Sequence, residues 1–122
     1  MKIEKLLNPR TLNSTINIKN PIVMAPMTTF SGNPDGTVSE AELIYYKTRS
    51  RDVGIVITAA TYVRPSGKGF SGQFAAYNDS FLPGLKKLSQ TKKGEGALAI
   101  LQIFHGGRMA IPAEIPEDRK SV

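Results

Sequence analysis

A hydroxyl, an amide and small side chains stand at the ends of three apolar runs, where together they could hold a flat polar ring. The run Ile22-Val23-Met24 ends in Ala25-Pro26-Met27-Thr28. A hydroxyl just past a strand end can donate to a ring carbonyl; equally, Thr28 can open the following loop and bond locally. The run Ile55-Val56-Ile57-Thr58 ends in Ala59-Ala60, whose small side chains admit a planar group close to the backbone or simply fit helix–strand packing. Gln102 lies between Leu101 and Ile103 at the end of a third run. A buried amide needs partners for one acceptor and two donors. The edge of a pyrimidine-like ring supplies that set, and so can neighbouring backbone.

His105-Gly106-Gly107-Arg108 follows this third run. It reads as a catalytic acid or anion clamp, or as a tight glycine turn whose Arg108 pairs with a carboxylate; the turn is preferred. Gly67-Lys68-Gly69 lacks the full phosphate-loop pattern, and no GxGxxG follows the first strand, which disfavours a Rossmann dinucleotide domain. With one His and no Cys, the chain offers no metal-ligand cluster, no disulfide and no thiol nucleophile.

Small and polar groups gathered at strand ends require strands that point the same way. The pattern predicts a strand at about 22–26, a helix from Ser39 to about Arg51, a strand at about 55–60, a helix from Asn78, Asp79 or Ser80 to about Lys92, and a strand at 97–103. Ser39 and Glu42 form a capping-box pattern. Leu43, Ile44 and Tyr46 are expected against the sheet, as are Leu82, Leu85 and Leu88. Gly54 is expected in the left-handed region. Thr11-Leu12 and Thr15 to Ile18 suit a hairpin around Asn13-Ser14, placed below the sheet. The runs at 28–38 and 61–79 read as loops. Alternating strands and helices imply a parallel sheet with right-handed crossovers, in a barrel or an open α/β fold.

The 122 residues carry a net charge of +6. The cations fall near predicted helix C-termini (Lys47, Arg49 and Arg51; Lys86, Lys87, Lys92 and Lys93), where they complement the helix dipole, and are not interleaved with aromatics as a nucleic-acid surface requires. No apolar run approaches the roughly 20 residues of a membrane span. No secretion signal is evident, and the absence of cysteine fits a cytoplasmic protein. A closed barrel needs on the order of 250 residues. The chain is therefore expected to be the N-terminal portion of a longer protein, its polar tail from Pro112 to Val122 included.

Three motifs, in order and spacing, resemble the old yellow enzyme family of FMN-dependent NAD(P)H oxidoreductases. They are Asn20-Pro21-Ile22-Val23-Met24-Ala25-Pro26-Met27-Thr28, Gly54-Ile55-Val56-Ile57-Thr58-Ala59-Ala60, and Gln102-Ile103-Phe104-His105-Gly106-Gly107-Arg108. The first and third are specific; the second is weak alone. The resemblance implies an α/β fold in which residues 1–122 are the N-terminal part of a single (β/α)8 barrel domain, preceded by the hairpin and holding FMN at its strand ends. Ala25, Pro26 and Met27 would then pass beside the isoalloxazine, with Thr28 donating to its O4/N5 edge. Ala60 would lie against the ring, and Gln102 would bond its pyrimidine edge. Thr28 stands where some relatives carry Cys, and Phe30 where some carry a Tyr that donates to substrate.

The implied reaction passes hydride from NAD(P)H through FMN to a small-molecule oxidant such as an activated alkene. The residues that polarise that substrate or bind the FMN phosphate lie beyond the third strand, so no catalytic residue is assigned, and this stretch alone is expected to be inactive. A homo-oligomer is compatible with this reading; nucleic-acid and membrane partners are not expected. Two alternatives stand beside it: a dienoyl-CoA-reductase-like enzyme with an added iron–sulfur region, and a small noncatalytic binding module.

Overall fold

The computed structural model describes residues 3–116. Glu117, Asp118, Arg119 and Lys120, which carry much of the expected polar tail, lie outside the described residues.

The chain opens on a hairpin. β1 (Arg10–Leu12) pairs antiparallel with β2 (Ile16–Ile18), and Asn13 and Ser14 take positive φ at the turn. Beyond it, β3 (Val23–Met24), α1 (Glu40–Ser50), β4 (Ile55–Ile57), β5 (Thr61–Tyr62), β6 (Phe74–Ala75), α2 (Leu82–Gly94), β7 (Leu98–Ile100) and β8 (Ile103–Phe104) follow in order. Two parallel three-stranded ladders run β3-β4-β7 and β6-β5-β8. The strand expected at 55–60 is β4, ending at Ile57; its continuation β5 falls in the stretch 61–79 expected to be a loop, and the strand expected at 97–103 is β7 and β8, broken for two residues. The first strand leaves the ladder after Met24 rather than at residue 26. Its place beside the second strand is taken by β6, which the turn-rich loop concealed. Gly32 N–H donating to the Gly72 carbonyl at 3.0 Å ties the departing segment to that loop.

The core lies between the two helices and β4. Leu43 and Tyr46 of α1, Val56, Ala59, Phe74, Leu88 of α2 and Ala97 form one buried cluster. Each large apolar side chain in it contributes about 1.5–3 kcal/mol of transfer free energy. Of the three expected strands, the second is the buried one, in β4 and its continuation β5. Val23 is 48% exposed and Ile100 39% exposed, because β3 and β7 are the two edges of the ladder. Ile44 and Leu82, expected against the sheet, are 65% and 57% exposed. In each helix one turn of the apolar stripe looks outward.

The helix termini explain several side chains. Ser39 caps α1 and accepts from Glu42 N–H at 3.2 Å, so half of the capping box forms; the Glu42 carboxylate goes to the Thr29 hydroxyl instead of back to Ser39 N–H. Asn78 caps a short 3-10 turn (Asp79–Phe81) that leads into α2, accepting from Ser80 N–H at 2.9 Å. Lys19 Nζ donates to the carbonyls of Ser50 at 3.0 Å and Glu95 at 2.7 Å, closing the C-terminal ends of both helices from below the sheet. Lys92 stands in the last turn of α2, as expected, but is buried there, at 2% exposure. Gly54 is not left-handed; Gly96, at φ +82°, plays that part after α2. Gly54 is instead required by crowding: a Cβ there would stand 1.8 Å from the Asn20 carbonyl oxygen.

Candidate functional site

Because β3, β4 and β7 are parallel, the segments that leave their C-terminal ends emerge on one side of the sheet. Those segments are Ala25–Thr28, Thr58–Ala60 and Leu101–Gln102, so the topology brings every sequence-derived candidate to the same end. His105 and Arg108 follow β8 at that end as well.

The register shows how Ala60 and Gln102 are aimed. Ile57 pairs with Ile100, but the next pair is Thr61 with Ile103. Thr58, Ala59 and Ala60 therefore oppose only Leu101 and Gln102, which makes a bulge of one extra residue. Bulges of this kind twist the strand and redirect side chains. The gap in the ladder is filled by side chains. The Gln102 N–H donates to Thr58 Oγ1 at 3.1 Å, and the Thr58 hydroxyl donates to the Ala59 carbonyl at 2.9 Å. From α1, Tyr46 Oη accepts from Ala59 N–H at 2.7 Å. Burial pushes the Tyr46 phenol up to about 12, so it keeps its proton across the physiological range. Thr58 and Tyr46 are 1% exposed each. Neither was singled out in the sequence for this role. A threonine inside an otherwise aliphatic run is the one signal that could have drawn notice.

The first segment is different in kind. Ala25, Pro26, Met27 and Thr28 are all exposed, Met27 by 60%. Among the described residues, the N–H groups of Met27 and Thr28 donate to no protein acceptor. Phe30, at φ +54°, ends the segment in a conformation rare for a bulky side chain; its ring packs on Phe70 with centroids 5.0 Å apart. No phenolic donor stands at position 30. Ala60 is 9% exposed and Gln102 half-buried. The site is thus an exposed strip with free backbone donors beside a buried bulge that carries an amide. It suits a flat heterocycle with both an apolar face and a polar edge.

The loop after β8 is a turn, as preferred from its glycines. His105 Nδ1 accepts from Gly107 N–H at 3.0 Å. Its ring lies against Gly67, where a Cβ would come within 2.5 Å of it. Arg108 is exposed, and the expected pairing with a carboxylate is not found among the described residues. The half-buried pair in this region is Lys68 with Glu114, at 2.7 Å. No helix among the described residues is long and apolar enough to cross a membrane.

The model of the NADH:flavin oxidoreductase / NADH oxidase family matches residues 5–122. A probable NADH-dependent flavin oxidoreductase of Bacillus subtilis is 49% identical over 114 residues, which are 93% of this chain and 30% of that protein. The NADH:fumarate oxidoreductase of Klebsiella pneumoniae is 40% identical over 109 residues, 89% of this chain and 12% of the relative. Among solved structures, 2-naphthoyl-CoA reductase superposes with a TM-score of 0.85 at 34% identity, over 91% of this chain and 17% of that one. Morphinone reductase superposes with a TM-score of 0.82 at 27% identity, over 92% of this chain and 29% of that one. The chain thus spans less than a third of each of these proteins. The sheet order and helix placement are those of the N-terminal part of a (β/α)8 barrel, as the sequence led us to expect. With its family model matched from residue 5 onward and its three motifs gathered at one end of a parallel sheet, the chain belongs to the NADH:flavin oxidoreductase / NADH oxidase family, the flavoenzyme group that includes the old yellow enzymes.

Proposed function

We propose that this chain forms the N-terminal part of a single FMN-binding barrel in an NAD(P)H-dependent oxidoreductase, and that Ala25–Thr28, Ala60 and Gln102 contact the flavin. The observation that carries the reading is the convergence of an exposed strip with free N–H donors and a bulged, amide-bearing strand end on one side of a parallel sheet. The residues fit the group. Ala25 and Ala60 present little bulk to a ring, and Met27 offers an apolar surface. The Thr28 N–H and hydroxyl are donors suited to the electron-rich O4/N5 edge. The Gln102 side chain has an acceptor and two donors for a pyrimidine edge.

When bound, FMN would supply the two-electron exchange between NAD(P)H and an acceptor, for which an activated alkene is the proposed class. The protein's part is to hold, orient and tune. A donor at O4/N5 favours the reduced, electron-rich flavin and so raises its potential. The hydrocarbon ring of Phe30 gives substrate no hydrogen bond, so polarisation of an alkene's carbonyl falls to residues beyond those described.

The test is FMN titration and anaerobic NADH reduction of the complete gene product, followed by turnover with α,β-unsaturated carbonyl compounds. Stoichiometric FMN and alkene-dependent NADH oxidation are expected; a complete protein that takes up no flavin would refute the reading. A second reading keeps the barrel but adds further redox regions. It is favoured by the small shares, 12% and 17%, that this chain covers of the NADH:fumarate oxidoreductase and 2-naphthoyl-CoA reductase chains. Iron content of the complete protein separates the two.

A further inference from the structure

Glu42 is wholly buried, at 0% exposure, yet no lysine or arginine pairs with it among the described residues. Its Oε1 accepts from the Thr29 hydroxyl, while its Oε2 is buried and meets no donor among the described residues. Burying an acidic group with half its hydrogen-bonding capacity unmet is costly, and such a group demands a reason. Burial raises its carboxyl above the ordinary glutamate value, against the lowering effect of the Thr29 hydroxyl and the Ser31 backbone.

The reason lies in what the carboxyl closes. Glu42 N–H donates to Ser39 Oγ at 3.2 Å, and Ser39 Oγ donates to the Ser31 carbonyl at 2.6 Å. Ser31 Oγ donates to the Thr29 carbonyl at 2.9 Å, and the Thr29 hydroxyl returns to Glu42. These four hydrogen bonds form a ring that locks residues 29–31 onto the first turn of α1. Thr28, the proposed flavin donor, is the residue directly before this ring. Thr28 and three members of the ring, Thr29, Ser31 and Glu42, line one cavity of about 270 Å³. Without the ring, Ala25–Ser31 would be an exposed strip tethered just past its end, where Gly32 N–H donates to the Gly72 carbonyl.

We propose that Glu42, acting through Thr29, is the positioning residue of the flavin-facing segment: the buried carboxyl holds Thr29 so that the donors of Thr28 point where the ring edge lies. This rests on the flavin reading given above. Glu42 touches neither flavin nor substrate; its effect passes through the backbone of Thr28 and Thr29.

The experiment compares Thr29→Val, Thr29→Ser, Glu42→Ala, Glu42→Gln and the surface control Glu40→Gln in the complete protein. Three quantities are measured: the FMN dissociation constant, the flavin midpoint potential, and amide hydrogen exchange at Met27–Ser31 in the flavin-free protein. Thr29→Val and Glu42→Ala are expected to weaken FMN roughly tenfold, the order of one charge-assisted hydrogen bond, to lower the potential, and to speed exchange across 27–31. Thr29→Ser and Glu42→Gln keep a donor and an acceptor and should return most of each effect, while Glu40→Gln changes none. Should Glu42→Ala fail to fold, the Thr29 pair decides alone. A Thr29→Val protein that melts earlier but keeps wild-type affinity, potential and exchange overturns the proposal and leaves Glu42 a structural residue. Wild-type protein without FMN affinity sinks the flavin reading itself, whereas bound FMN with indifferent variants sinks only the positioning role.

Discussion

The backbone N–H of Gln102 donates to the hydroxyl of Thr58 at 3.1 Å, where a regular parallel ladder would offer it a carbonyl. One side chain thus accepts the strand's displaced hydrogen bond and itself donates to the Ala59 carbonyl at 2.9 Å. Replacing it with valine keeps the shape and removes both bonds. Thr58→Val should therefore destabilise the protein by about 1–3 kcal/mol, the cost of a buried donor left unpaired, and should weaken FMN binding because Gln102 loses its register. Thr58→Ser, which retains the hydroxyl, should behave nearly as wild type toward FMN. Denaturant melts and FMN titrations of the complete protein check both. If valine lowers stability without touching FMN affinity, the bulge is not what aims Gln102.

Thr28 and Gln102 are proposed to meet opposite parts of one ring, and their substitutions should leave different marks. Gln102→Leu removes an acceptor and two donors at the pyrimidine edge and should raise the FMN dissociation constant roughly tenfold. Thr28→Ala removes only the hydroxyl; its N–H remains. The expected result is a smaller loss of affinity with a lowered flavin potential. Identical effects from both substitutions, or none, would contradict the assignment of edges.

Much of this arrangement was legible in the chain. The apolar runs, their spacing and the Ser39 cap fixed the order of strands and helices. The small and polar residues at the run ends marked the candidate site that the topology gathers at one end of the sheet. Less visible was everything that depends on pairing between distant segments. The bulge at Thr58–Ala60 exists because three residues oppose two, a fact of register that no single strand carries. The Phe74–Ala75 strand is short, lies among turn residues, and forms only because the first strand vacates that edge after Met24. Gly54 looked like a helix terminator, but its constraint comes from Asn20, a contact between remote segments. Glu42 matched a capping box by pattern, and only the fold shows that its carboxylate serves Thr29 instead.

Gly54 gives a sharp packing prediction. A methyl group there would overlap the Asn20 carbonyl, which is backbone and cannot swing away. Asn20 is itself held, donating to the Asp52 carbonyl at 3.0 Å and accepting from Ile22 N–H at 3.1 Å. Gly54→Ala should cost about 3 kcal/mol or more, at the upper end of overpacking penalties. By contrast Gly94→Ala, where nothing lies within 4 Å, should be neutral or mildly stabilising. Equal melting temperatures for the two variants would show that the first turn yields more easily than its bonds imply.

The raised carboxyl of Glu42 makes a pH prediction. The folded form holds its proton more tightly than the unfolded chain, whose glutamate titrates near 4.5. In the window that opens upward from that value, the native state binds more protons than the unfolded one. Stability contributed by this group is therefore lost as pH rises through the window, and regained on acidification. Glu42→Gln should flatten this part of the stability–pH curve without moving it elsewhere. The difference between wild-type and variant unfolding free energies, measured from about pH 4 to 8, decides the matter; a constant difference would mean that the Glu42 carboxyl titrates alike in the folded and unfolded states.

Lys92 titrates in the opposite sense. It is 2% exposed, its Nζ donates to the Ile100 carbonyl at 3.4 Å and stands 5.5 Å from the centre of the Tyr46 ring. No carboxylate pairs with it among the described residues. Burial alone pulls its ammonium down from 10.5 to about 8. Between those two values the unfolded chain binds the proton and the native state does not, so stability from this site rises with pH across the window; below about 8 the buried charge exacts its full cost. Lys92→Met keeps most of the aliphatic stem under Tyr46 and removes the charge. It should be more stable than wild type at neutral pH, and the gap should close as pH climbs toward 10.5. Every group common to both proteins cancels in the difference. Tyr46 stays protonated until about 12, so it leaves the window clear. A variant less stable than wild type at neutral pH would mean that the bond to Ile100 and the contact with the Tyr46 ring outweigh the cost of burying the charge.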